Sequence, residues 1–109
     1  MKQLTGIELR YVLSMHLADN GPATVAEMAV ALGAQGFCVR GRASKSISDA
    51  LRWEMGRDRV RRLGRGVYGP RSMPRSTEYR IHHRVLALRA EARLSLEGGQ
   101  IVDCLGGPI

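Results

Sequence analysis

Arginine is the residue with the most to offer chemically in this chain, and it is placed unevenly. Of seventeen Lys and Arg residues, eleven lie between positions 40 and 75: Arg40, Arg42, Lys45, Arg52, Arg57, Arg59, Arg61, Arg62, Arg65, Arg71 and Arg75. Only Asp49, Glu54 and Asp58 oppose them there, and the other 73 residues carry six positive and seven negative charges. One third of the chain therefore accounts for the whole net charge of +7. A charge kept for solubility would be spread out. Guanidinium groups concentrated in this way suit bidentate contacts to phosphate, and a surface that neutralises phosphates needs them close together. The bland alternative is a solvated basic face without a partner.

Other chemistry is thinly represented. Cys38, Cys104, His16, His82 and His83 include no C-x-x-C or H-x-x-x-H spacing that would fix two ligands on one ion. Adjacent His82 and His83 point in different directions on a helix. His16 reads as a half-buried, hydrogen-bonded residue. No metal or other cofactor is expected. Carboxylates are scattered singly and no nucleophile–base pair has a recognisable context, so the chain does not read as an enzyme; Glu54 and Asp58 look like surface partners of Arg57 and Arg61. Gly64-Arg65-Gly66-Val67-Tyr68-Gly69 matches G-x-G-x-x-G by letter. A dinucleotide site would need a helix to open there, and Pro70-Arg71 follows instead. Trp53 has two readings, a platform for a base or an anchor in the core, and the core is the simpler one.

The elements that must position these residues follow from patterning. The chain's 109 residues, 44% of them apolar, suffice for one core and argue against disorder. Apolar runs are too short for a membrane span, residues 1–20 lack a signal-peptide layout, and two cysteines build no disulfide framework. These features lead us to expect a cytoplasmic protein of a bacterial or phage cytosol, associated with the nucleoid. Thr5-Gly6-Ile7-Glu8 fits a capping box, and Leu9, Val12, Leu13 and Leu17 predict a helix over 6–18. Thr24-Val25-Ala26-Glu27 fits a second box, before a short helix ending at Gly33. Gly36 to Arg42 has no period and reads as a basic loop. A third helix, 44–56, is capped by Ser44 or by a variant box at Ser46, with Ile47, Ala50, Leu51 and Met55 inward and Lys45, Ser48, Asp49 and Arg52 outward. Residues 59–69 form a β-hairpin with Arg65 between glycines at its tip. After Pro70 and Pro74, a long helix over 76–97 carries Ile81, Val85, Leu88 and Ala92 at coiled-coil spacing. At about 33 Å it exceeds what so small a domain needs, which suggests a homodimer seam. The tail, 99–109, has no assignable role.

Helix, short helix, helix and hairpin, with these residues in them, resemble the winged helix-turn-helix family of DNA-binding regulators. Thr24 to Gly33 looks like the family's second helix and turn, Ser46 to Arg52 like its recognition helix, and Arg59 to Tyr68 like its wing. The resemblance covers about residues 5–70, and the interval Ala34–Ala43 is longer than the family's usual turn. It implies an α+β, mostly helical fold: a three-helix winged helix-turn-helix core with a two-stranded wing in 1–72, after which comes the C-terminal helix, 73–98, whose spacing and length suggest dimerisation. It also implies a sequence-specific, repressor-like regulator binding double-stranded DNA. Lys45, Ser48, Asp49 and Arg52 would sit nearest the base edges, with Arg40, Arg42 and Ser44 beside phosphates at the helix start. Arg65 would reach the backbone or minor groove, and Arg59, Arg61 and Arg62 would add non-specific attraction. Neither a membrane contact nor a small-molecule ligand is expected. A protein-interaction or non-specific nucleic-acid-binding winged-helix module is the alternative.

Overall fold

The computed structural model describes residues 1–97, so the tail 99–109 lies outside the described residues. The fold is α+β and mostly helical, with the elements in the order β1 (Lys2–Leu4), α1 (Ile7–Asn20), β2 (Ala23–Thr24), α2 (Val25–Ala34), β3 (Phe37–Val39), α3 (Ala43–Gly56), β4 (Val60–Gly64), β5 (Val67–Pro70) and α4 (Arg75–Glu97). Among the described residues the strands make two small sheets. β1 lies parallel to β3, with Leu4 opposite Val39. β5 is the middle strand of the other sheet, antiparallel to β4 on one side and to β2 on the other.

Each element has a local cause. α2 starts on the capping box that the sequence suggests: Glu27 N–H donates to Thr24 Oγ1 at 3.0 Å and Thr24 N–H to Glu27 Oε1 at 2.8 Å. The box at Thr5 does not form. Gly6 occupies the cap with φ +51° and no side-chain bond, and Glu8 is engaged instead by Arg84 of α4 at 2.9 Å. The Ser46 box is also absent. α3 begins three residues earlier, at Ala43, so Ser46 lies inside the helix with its hydroxyl donating to the Arg40 carbonyl at 3.4 Å. The turn between β4 and β5 needs a left-handed residue, and Gly66 supplies it at φ +68°.

Two sequence expectations give way here. The stretch from Gly36 to Arg42 is not all loop. Phe37 and Val39 are buried, and their backbone pairs with β1, an apolar run too short to show a period. The dimer seam suggested by Ile81, Val85, Leu88 and Ala92 is spent on the chain's own core, where these side chains are 0–2% exposed. The helix they lie on packs against α1. Its length is no surplus either: 23 residues span about 34 Å, within the molecule's 38 Å long dimension. Lys2–Glu91 (3.7 Å), Arg84–Glu8 (2.9 Å) and an Arg89–Gln35 hydrogen bond (2.7 Å) tie α4 to β1, α1 and the end of α2.

Candidate functional site

α3 is amphipathic in a way that divides its residues cleanly. Ile47, Ala50, Leu51 and Glu54 recur at i, i+3, i+4 and i+7 and are buried. Lys45, Asp49 and Arg52 fall on the opposite side and are exposed, with Ser48 half-buried beside them. Lys45 Nζ lies 3.3 Å from Asp49 Oδ2, one turn along the helix, so the only carboxylate on this face already has a cation beside it. Arg40, Arg42 and Ser44 are exposed at and before the helix start, where Arg42 is the cap residue and makes no side-chain cap bond. Within α3, Lys45, Ser48, Asp49 and Arg52 therefore share one face, and Arg40 lines the same groove as Asp49.

The hairpin contributes a second group. Arg61, Arg62 and Arg65 are all exposed. Arg62 Nε donates to the Gly64 carbonyl at 3.1 Å, which folds that side chain along its own strand. Arg61 borders a polar depression with Asp58, Ser72 and Arg71, and Arg71 and Asp58 stand 4.0 Å apart. Ten of the eleven cations between 40 and 75 are exposed.

Arg59 is the exception, and it corrects its expected part in attracting a partner. Its guanidinium Nε and Nη2 donate to Glu54 Oε1 and Oε2 at 2.8 and 3.0 Å, and Ser14 Oγ donates to Glu54 Oε1 at 2.6 Å. Glu54 is fully buried and Arg59 is 8% exposed, with its guanidinium carbon 5.7 Å from the Tyr11 ring centre. The hydrogen bonds to Glu54 raise the Arg59 pKa further above its already high value. Glu54 is thus no surface partner of Arg57. It links α1, α3 and the root of β4, and so fixes how the hairpin stands against the helix. A readable sign existed: Glu54 completes the apolar stripe of α3, where a carboxylate must find partners.

Trp53 also departs from expectation. It is not a core anchor but 62% exposed, with the Arg10 guanidinium carbon 5.1 Å from its ring centre. Arg10 and Trp53 border a groove of about 600 Å³ floored by Leu4, Leu9 and Val39. His16 is half-buried and held below the ordinary histidine pKa, chiefly by burial, with Asp19 opposing; Asn20 Nδ2 lies 3.3 Å from its Nδ1. His82 and His83 are exposed on α4. Among the described residues no three of His, Cys, Asp and Glu converge as a metal ion would need, and no helix is long and apolar enough to cross a membrane. Comparison with family models, with curated proteins and with solved structures finds no match to this chain.

Proposed function

We propose that this chain is a winged helix-turn-helix protein that binds double-stranded DNA sequence-specifically and regulates by occupying its site, as a repressor does. The carrying observation is the composition of α3's outer face and the strands beyond it: ten exposed cations within 36 residues, with the eleventh used to brace them. The topology supports the same reading. Three helices precede a hairpin, and the two-residue strand between the first and second helices adds to its β5 edge. The long interval before α3 is accounted for by β3, which pairs with β1 instead of lengthening the turn loosely.

In this reading α3 lies in the major groove, which admits a helix and presents a distinct donor and acceptor pattern for each base pair. Arg52, whose planar fork suits guanine, and Lys45 with Asp49 stand nearest the base edges. Asp49 accepts from a cytosine amine if Lys45 turns toward a phosphate. Arg40, Arg42 and Ser44 lie along the backbone, and Arg65 reaches phosphate or minor groove from the hairpin tip.

Selection of bound sequences from a random duplex pool tests this. Arg52→Ala is expected to relax base preference at one or two positions. Arg65→Ala is expected to weaken binding to all sequences alike. Enrichment of the same motif at undiminished affinity by both variants overturns the assigned reading face, and failure of the unmodified protein to enrich any motif overturns sequence-specific binding.

A further inference from the structure

Trp53 is the one tryptophan in the chain, and it stands in water on the helix assigned to DNA. A large aromatic side chain left 62% exposed gives up most of the burial that normally justifies its size. Its setting is cationic. Arg10 stacks over the ring at 5.1 Å, which holds the indole in one orientation, and the Arg10 Nε is buried there without a hydrogen-bond partner. Beyond the groove it shares with Arg10, Trp53 borders a separate depression of about 370 Å³ with Arg52, Gly56 and Arg57, in which Arg10 takes no part. The ring is therefore braced by one guanidinium and flanked by two more around an open hollow.

An aromatic plane beside several guanidinium groups matches the two halves of a nucleotide. A base has a π-face of its own to stack, and its phosphate needs positive charge at the edge of that stack. Bases inside a duplex are already stacked and present only their edges to α3, so the π-face of an exposed indole finds no base to stack on there. We infer that Trp53 stacks on an unpaired base of the bound DNA, with Arg57 holding the flanking phosphate, so that the protein prefers a duplex carrying an unpaired nucleotide, at a strand end or a displaced base, over a fully paired one. This rests on the duplex-binding reading above and adds a partner feature that the reading does not require.

Binding is measured with three probes at one salt concentration: a blunt duplex, the same duplex with a short single-stranded overhang, and that duplex with the overhang made of abasic residues. The abasic overhang keeps the phosphates and removes the stack. Roughly tenfold tighter binding of the base-bearing overhang than of the abasic one is expected, with quenching of Trp53 fluorescence. Trp53→Ala should abolish that difference without altering blunt-duplex affinity, and Trp53→Phe should keep part of it. Equal affinity for the two overhangs, or a preference that survives Trp53→Ala, overturns the inference. Where the blunt duplex binds and the overhang adds nothing, this inference falls and the duplex reading stands. Where none of the three probes binds, the duplex reading falls and this inference falls with it.

Discussion

Glu54 brings a carboxylate into the core, and Arg59 and Ser14 are what make that tolerable. The geometry is favourable: both carboxylate oxygens accept from one guanidinium, and the hydroxyl fills a third site. Glu54→Gln keeps the shape and removes the counter-charge, leaving the Arg59 guanidinium against Tyr11. Breaking one side of a buried pair costs about 3–5 kcal/mol, and the lower end applies because the Arg59 side chain keeps 10% exposure. The urea midpoint should fall accordingly. Ser14→Ala removes a single hydrogen bond from a carboxylate that keeps its ion pair, so a loss of about 1–2 kcal/mol is expected. Equal costs for the two variants would mean that Arg59 contributes nothing to holding α3.

At the scale of elements, the capping boxes at Thr5 and Thr24 look alike in sequence and differ in the fold. Thr24→Ala is expected to cost about 1 kcal/mol by thermal unfolding, and Thr5→Ala close to nothing, because only Thr24 caps. Hydrogen bonds to the Thr24 amide and hydroxyl hold the Glu27 pKa below its ordinary value. Glu27 therefore contributes fully above the ordinary glutamate range, and the contribution is lost as pH falls through the lowered value. The pair shows how far the sequence could be read. Helices and hairpin were legible because periodicity and glycine placement are local. The fate of Thr5 was not, because it depends on Arg84, 76 positions after Glu8. The same limit hid β3, whose partner strand lies at the far end of the first helix. It also misdirected the stripe of α4, since spacing tells that a face is buried but not by what. Leu88→Ala tests that last point. It should cost about 3 kcal/mol, with a melting temperature independent of protein concentration. A concentration-dependent melting temperature would restore the seam to a two-fold mate.

For the molecule as a whole, the outcome that matters is where its charge is spent. Five ion pairs occur among the described residues, and three of them, Lys2–Glu91, Arg84–Glu8 and Arg59–Glu54, join elements into one body. Of the cations between 40 and 75, Arg59 alone takes part in that joining; the other two ion pairs, Lys45 with Asp49 and Arg71 with Asp58, are exposed. Surface pairs of that kind contribute little to stability, so this region's charge is not explained by folding. A duplex partner would explain it through release of counterions. If Arg40, Arg42, Arg57, Arg61, Arg62 and Arg65 meet phosphates, log affinity should fall against log salt with a slope of roughly −5. Arg65→Ala removes one such contact and should flatten the slope by about one. Glu54→Gln removes none, so it should lower affinity, if at all, by letting the hairpin drift, with the slope unchanged. A slope near zero for the unmodified protein would mean that the exposed guanidinium groups do not face phosphate, and the proposal for this surface would fail whatever sequence preference were measured.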